Sequence, residues 1–213
     1  MKIVFLITFF SLLAVAQTTI PFERSKWTEL KYNNFSPNKV EYLTDSLKVN
    51  VDSSASPLVY KLDQVLEVSS FDVILKINGD LPESKEFEDD SFFRLGLVVL
   101  GDNHLGAVGK LFAPKWAQEL FKLAPDGAGL DKIYFFNIAR SKNQLDKERI
   151  NPASKYMFEK VIAVRDGEAQ EVKYTLSKPL DTAALWISID GDTTKSKFTT
   201  EIKSIKLNSI KIN

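Results

Sequence analysis

From Phe93 to Val99 every second residue is large and apolar (Phe93, Leu95, Leu97, Val99), and Phe92, Arg94, Gly96 and Val98 fill the alternate positions. That two-residue period belongs to a β-strand with one face in a core. The strand follows an acidic turn, Glu88-Asp89-Asp90, and an arginine beside a glycine on its second face predicts ion pairing across a sheet. The same period recurs along the chain. Segments 27–32, 40–43 and 47–51 read as strands, the last two joined as a tight hairpin by Thr44-Asp45-Ser46. Leu58, Tyr60 and Leu62 resume the alternation after a Ser/Pro-rich break. Phe71, Val73, Leu75 and Ile77 then form another inward row, which turns Asp72, Ile74, Lys76 and Asn78 outward.

Downstream, Gly101 to Gly109 reads as a glycine-rich loop. Residues 113–123 repeat Trp116, Leu120, Phe121 and Leu123 at helical spacing and stop at Ala124-Pro125-Asp126-Gly127, the one helix signal in the chain. Segment 131–140 is apolar on both faces at its centre, so it belongs in the middle of a sheet. Segments 156–164 and 171–176 predict a hairpin around Arg165-Asp166-Gly167-Glu168. In 183–190, Leu185, Ile187 and Ile189 point one way and Trp186, Ser188 and Asp190 the other. The apolar spacing of 202–212 slips by one near Asn208, which predicts a bulge. About ten or eleven short strands and one short helix predict an all-β fold, a β-sandwich of jelly-roll or galactose-binding-like type. The long connections 101–130 and 141–155 are expected to cross between two sheets.

Composition narrows the setting. With 213 residues and 44% hydrophobic content, one core is the default, and 17–213 reads as a single domain. Ahead of it, Lys2 precedes an apolar run from Ile3 to Val15 that ends in Ala14-Val15-Ala16, the small-x-small pattern of a signal-peptidase site. The run is shorter than the ~20 residues that span a bilayer. Residues 1–16 therefore read as a signal peptide cleaved after Ala16, in preference to an uncleaved anchor, and no membrane span is expected after cleavage. There is no cysteine, so no disulfide and no lipoprotein anchor is expected, which points to a bacterial periplasmic or secreted protein. Basic and acidic residues number 28 each, or 27 against 28 without Lys2. With no basic excess and no basic cluster interleaved with aromatics, nucleic acid is not an expected partner.

Two motifs carry a family resemblance. Asp89-Asp90-Ser-Phe-Phe-Arg94 resembles the Asp-Asp-x-x-x-Arg strand of a group of bacterial exported proteins of unknown function. Asp190-Gly-Asp192-Thr-Thr194 resembles that group's closing Asp-x-Asp-x-Thr segment. The chain departs from the group at Ile133-Tyr-Phe-Phe-Asn137, where the group is richer in tryptophan. The resemblance implies a β-sandwich similar to carbohydrate-binding modules and brings no activity with it.

Alternation nominates the chemistry. Asp72, Lys76, Arg94, Trp186, Ser188 and Asp190 all fall on outward faces, and in one sheet they would place an indole beside an arginine and carboxylates. Sugar sites use that combination, since an aromatic plane stacks on C–H groups and Arg and Asp hydrogen-bond hydroxyls. The candidate ligand-binding residues are Asp90, Arg94, Trp186, Asp190, Asp192 and Thr194. A plainer expectation competes at each. Arg94 is favoured as the ion-pair partner of Asp90, Asp72 or Asp190, and Trp186 as covered by the helix or a loop. Asp190 to Thr194 offers acids at a spacing that calcium uses, with Glu88, Asp89 and Asp90 as further donors across the sheet. An Asx-type turn is favoured there over a structural calcium, and no cofactor is expected.

His104 is the only histidine and reads as a solvated turn residue. It leaves one candidate base for a triad, with no Gly-x-Ser-x-Gly elbow beside it. Lys110 to Trp116 with Phe121 is expected to be a helix burying its own apolar side in preference to a docking face. The leading expectation is an exported, non-catalytic binding module for a glycan or similar polar ligand. The alternative is a structural or protein-interaction component of the cell envelope. A carboxylate-pair hydrolase ranks third.

Overall fold

Two strands of 22 residues each hold the molecule together. In the computed structural model, which describes residues 14–82, 90–104, 115–152 and 154–211, β5 (Leu58–Gly79) and β10 (Ala169–Asp190) run side by side through both layers of a β-sandwich. The first layer adds β3 (Lys39–Tyr42), β4 (Leu47–Asp52) and β11 (Lys197–Lys211) to the 68–79 half of β5 and the 169–175 half of β10. The second layer joins β2 (Trp27–Glu29) to the first part of β5. On the other side, the last part of β10 leads outward through β6 (Ser91–Gly101), β7 (Gly129–Ala139), β9 (Met157–Val164) and β8 (Glu148–Ile150). The register of β10 on β5 breaks between Thr175 and Leu180 and again between Thr182 and Ala184. Pro179, which has no N–H to give a ladder, falls in the first break. These breaks let one strand serve two layers.

Between the layers lies the main core. Leu47, Val49, Val51, Phe71, Val73, Leu75 and Ile77 from the first layer meet Phe93, Leu95, Leu97, Leu185, Ile187 and Ile189 from the second, all buried. These are the inward rows that the period predicts. The β3–β4 hairpin forms as expected, β7 lies between β6 and β9, and the register of β11 slips between Asn208 and Ser209. A second apolar cluster covers part of the outer face of the second layer. There α1 (Lys115–Phe121) sets Leu120 against Val98, Ile133, Met157, Ala184 and Trp186.

Several expectations need correction. Phe92 is not on the outward face. It is fully buried, edge-on to Phe198 at 5.3 Å and beneath the Arg165 guanidinium. The cause is a register slip, since Ser188 pairs with Arg94 but Asp190 pairs with Ser91, which breaks the alternation between them. Segments 156–164 and 171–176 do not form a hairpin, because β9 runs parallel to β7 while β10 lies between β5 and β6. Asp72 and Lys76 belong to the first layer, opposite Lys206 and Glu201 on β11, and share no face with Arg94.

Of the amino-terminal expectation, residues 1–13 lie outside the described residues. Ala14–Thr19 forms β1 on β11, so cleavage after Ala16 would remove the first half of that strand. Glu88, Asp89 and residues 105–114 also lie outside the described residues. Among those described, no helix is long and apolar enough to cross a membrane.

Candidate functional site

Three cross-strand rows build the outer face of the second layer. The first, Ala184–Val98–Ile133–Met157, is apolar and lies under α1. The second runs Trp186–Gly96–Phe135–Glu159–Arg149 across five strands. The third is polar, Ser188–Arg94–Asn137. Residues directly opposite share a face, so apolar cover gives way to buried polar or charged side chains within two steps along these strands.

Gly96 is the hinge of this change. A Cβ there would lie 2.7 Å from Phe135 Cε1 and Ile133 Cγ2 and 2.9 Å from the Trp186 carbonyl. Only a residue without a side chain lets the Phe135 ring close over β6. Trp186 is 1% exposed and meets Trp116 of α1 edge-on at 6.4 Å. It is therefore no open stacking plane. The half-buried Trp116 takes the place facing the solvent side.

In the polar row, Arg94 Nη1 donates to Asp190 Oδ2 at 3.1 Å, and Ser188 Oγ donates to the same oxygen at 2.6 Å. Both ion-pair partners are 6% exposed. Burial pushes the Asp190 carboxyl up to about 6, against a smaller downward pull from Arg94. A second buried carboxylate sits nearby in the Phe135 row. Glu159, 1% exposed, accepts from Arg149 Nε at 2.6 Å and from Asn151 Nδ2 at 2.8 Å.

The rim comes from two loops. Tyr32 and Phe35, edge-to-face at 6.1 Å, stand on the 30–38 segment. Asn38 anchors that segment by donating from Nδ2 to the Ile189 carbonyl at 2.7 Å and accepting from Ser54 Oγ at 2.7 Å. Burial and then the Asp190 charge raise the Tyr32 hydroxyl well above its ordinary range, so it stays neutral. Opposite, the 191–196 turn is stapled by Asp90, whose carboxylate accepts from the Thr193 and Thr194 N–H groups and the Thr194 hydroxyl. The turn does form, but the acid that holds it comes from the entry to β6, 104 residues away. Among the described residues, no group of three or more metal-ligating side chains gathers.

Together these parts enclose a cavity of about 290 Å³. Of the sequence candidates, Arg94 and Asp190 from the strands and Asp192 from the turn line it. Asp90 and Thr194 hold the adjoining turn and do not line it. Trp186 lies beneath the floor. Tyr32, Phe35, Trp116, Phe135, Asn151 and Glu159 also line the cavity and were not among the sequence candidates. Glu159 carried a signal, because a carboxylate between Met157 and Val161 stands at an apolar-face position of its strand. His104 is exposed, as expected for a turn residue.

No protein-family model matches the chain, and no curated protein matches it in sequence. Among solved structures, it is similar to the family 11 carbohydrate-binding module from Clostridium thermocellum in complex with a beta-1,3-1,4-mixed-linked tetrasaccharide. There the identity is 10%, the coverage 91% of this chain and 96% of that one, and the TM-score 0.47. The exoplasmic/lumenal domain of VIP36 in its Ca2+/Man-bound form gives 9% identity, 92% and 96% coverage and a TM-score of 0.41. The N-terminal cellulose-binding domain of Cellulomonas fimi beta-1,4-glucanase C gives 9%, 90% and 92%, and 0.34. At this level of likeness, none of the three says what this chain binds.

Proposed function

We propose that the protein is a non-catalytic binding module that seats a short glycan segment in the cavity between α1, the 30–38 segment and the 191–196 turn. One observation carries this reading. Aromatic side chains and fixed hydrogen-bonding groups line the same cavity of about 290 Å³, with the exposed Phe35 at its rim. Ligand pockets begin at about 300 Å³, so the space suits a sugar ring or two and not a long chain. Trp116, Phe35 and Tyr32 offer ring surface to C–H groups. Asp190, Ser188 and Asn151 offer polar atoms to hydroxyls. Both buried carboxylates are held by guanidinium groups, Asp190 by Arg94 and Glu159 by Arg149, which suits positioning better than proton transfer. The protein would act in the bacterial periplasm or outside the cell, after cleavage following Ala16.

The test is a glycan array followed by calorimetry with wild type and Trp116→Ala. We expect retention on at least one oligosaccharide and at least a tenfold loss in the variant, with the melting curve little changed. Retention on no glycan, together with co-purification of an envelope protein, would instead establish the interaction-component alternative.

A further inference from the structure

We infer that the protein pairs with a second copy of itself along the open edge of β10, in a two-fold dimer centred on Val172. From Ala169 to Thr175, β10 pairs with β5 on one side, and β6 joins its other side only from Thr182 onward. Among the described residues, no strand occupies that second side between 169 and 175. The open stretch is seven residues long, against four in β3 and three in β8, and it holds no proline and no register slip. A free edge of this kind is a template for another strand.

The hydrogen-bonding sense of that edge follows from its pairing with β5. Ile77 N–H donates to the Glu168 carbonyl at 2.7 Å. Antiparallel pairs alternate between bonded and non-bonded, so Glu168, Gln170, Val172 and Tyr174 turn their backbone groups to β5. Ala169, Glu171, Lys173 and Thr175 turn theirs to the open side, and all four are exposed. A second copy laid antiparallel can meet these groups in several registers, and charge chooses among them. Centred on Glu171 or on Lys173, the two-fold sets that residue against itself, like charge on like. Centred on Val172, it sets Glu171 opposite the partner's Lys173, Lys173 opposite the partner's Glu171, and Ala169 opposite the partner's Thr175. Every one of these pairs joins residues whose backbone groups point to the open side. Within one chain, Lys173 Nζ and Glu171 Oε1 already lie 3.2 Å apart on the solvent face. The dimer gathers two such pairs into one cluster of alternating sign. Because a two-fold uses the same patch on both subunits, this one self-complementary strand is sufficient.

Sedimentation velocity of the purified chain over a concentration series at low salt tests this. Wild type is expected to show a reversible monomer–dimer equilibrium that weakens as salt rises. Glu171→Lys and Lys173→Glu each set like charges opposite one another and are expected to raise the dimer Kd at least ~10-fold. Both positions are exposed, so the melting curves should stay close to wild type. The double variant Glu171→Lys with Lys173→Glu restores opposite charges in the same register and is expected to recover the wild-type Kd. Thr175→Pro removes one N–H from the open side, leaves the bonds to β5 in place and should weaken the dimer with no change of charge. A wild type that stays monomeric at every concentration overturns the inference. So does a dimer that neither single charge reversal weakens, or one that the double variant fails to recover.

Discussion

Arg94 on β6 and Asp190 at the end of β10 form an ion pair of 3.1 Å between two side chains that are almost wholly buried. Neither charge would be tolerated there alone. Arg94→Met leaves Asp190 with Ser188 as its remaining hydrogen-bond donor among the described residues, and breaking such a pair costs about 3–5 kcal/mol. We expect a fall of that size in urea denaturation. The double change Arg94→Met with Asp190→Leu should recover part of it, because no charge is then stranded. An Arg94→Met protein as stable as wild type would show the pair to be solvated.

Asp190 also gives stability a pH dependence of unusual sign. Its carboxyl is raised from 3.8 to about 6 in the folded chain, so between those values the folded state holds a proton that the unfolded state has lost. Its contribution is therefore most favourable below about pH 4 and declines as pH rises through 6, by an amount on the order of 3 kcal/mol. Glu201 works in the opposite direction. Hydrogen bonds from Lys203 and Ser46 lower it, so its contribution is present above its ordinary range and is lost on acidification. The clean measurement is the difference between wild type and Asp190→Asn at several pH values. The variant should gain on wild type from pH 4 to about 6 and hold level above that.

The two tryptophans that meet at the edge of the site should separate cleanly. Trp186→Ala empties a fully buried position between α1 and the sheet and is expected to cost about 3–5 kcal/mol. Trp116, half-buried on a seven-residue helix, should cost much less in stability when cut to Ala. Comparable melting losses in the two variants would place Trp116 in the core.

Gly96→Ala tests the packing of the second row. With Phe135 and Ile133 atoms 2.7 Å from the new methyl and the Trp186 backbone at 2.9 Å, the ring and the strand must both give way. We expect a loss of about 1–3 kcal/mol and a changed tryptophan fluorescence. An unchanged spectrum would mean that Phe135 swings aside without disturbing its neighbours.

Asp90→Ala removes the acceptor of two N–H groups and one hydroxyl in the 191–196 turn. A loss of about 1–3 kcal/mol is expected. If the staple is sufficient by itself, EDTA leaves the wild-type melting temperature unmoved. A drop on adding EDTA would reveal a stabilising cation.

The β-sandwich was legible in the chain because its central strands are one face core and one face not. Leu185, Ile187 and Ile189 declare the inside, and Arg94, Ser188 and Asp190 the outside, by spacing alone. What spacing does not carry is adjacency. Nothing local in 157–164 says that β9 lies parallel to β7, so Glu159 could not be set beside Arg94. Nothing in 30–38 says that Tyr32 and Phe35 lean over Asp190, because Asn38 anchors them through a carbonyl 151 residues away. The reverse error arose at Phe92 and at Asp72. A register slip defeated strict alternation at Phe92, and strands too long to belong to one layer put Asp72 on the other side of the molecule.

Because β5 and β10 are shared, neither layer owns its own perimeter. Peeling one layer away would have to tear two ribbons that continue unbroken into the other, so the sandwich should come apart in one step, with no half-open form lingering at equilibrium. The sheet floor beneath the cavity, where β10 carries Asp190 against β6, then inherits the stiffness of the whole body. A ligand entering there meets a shape already set, and little freedom remains to be surrendered when it docks.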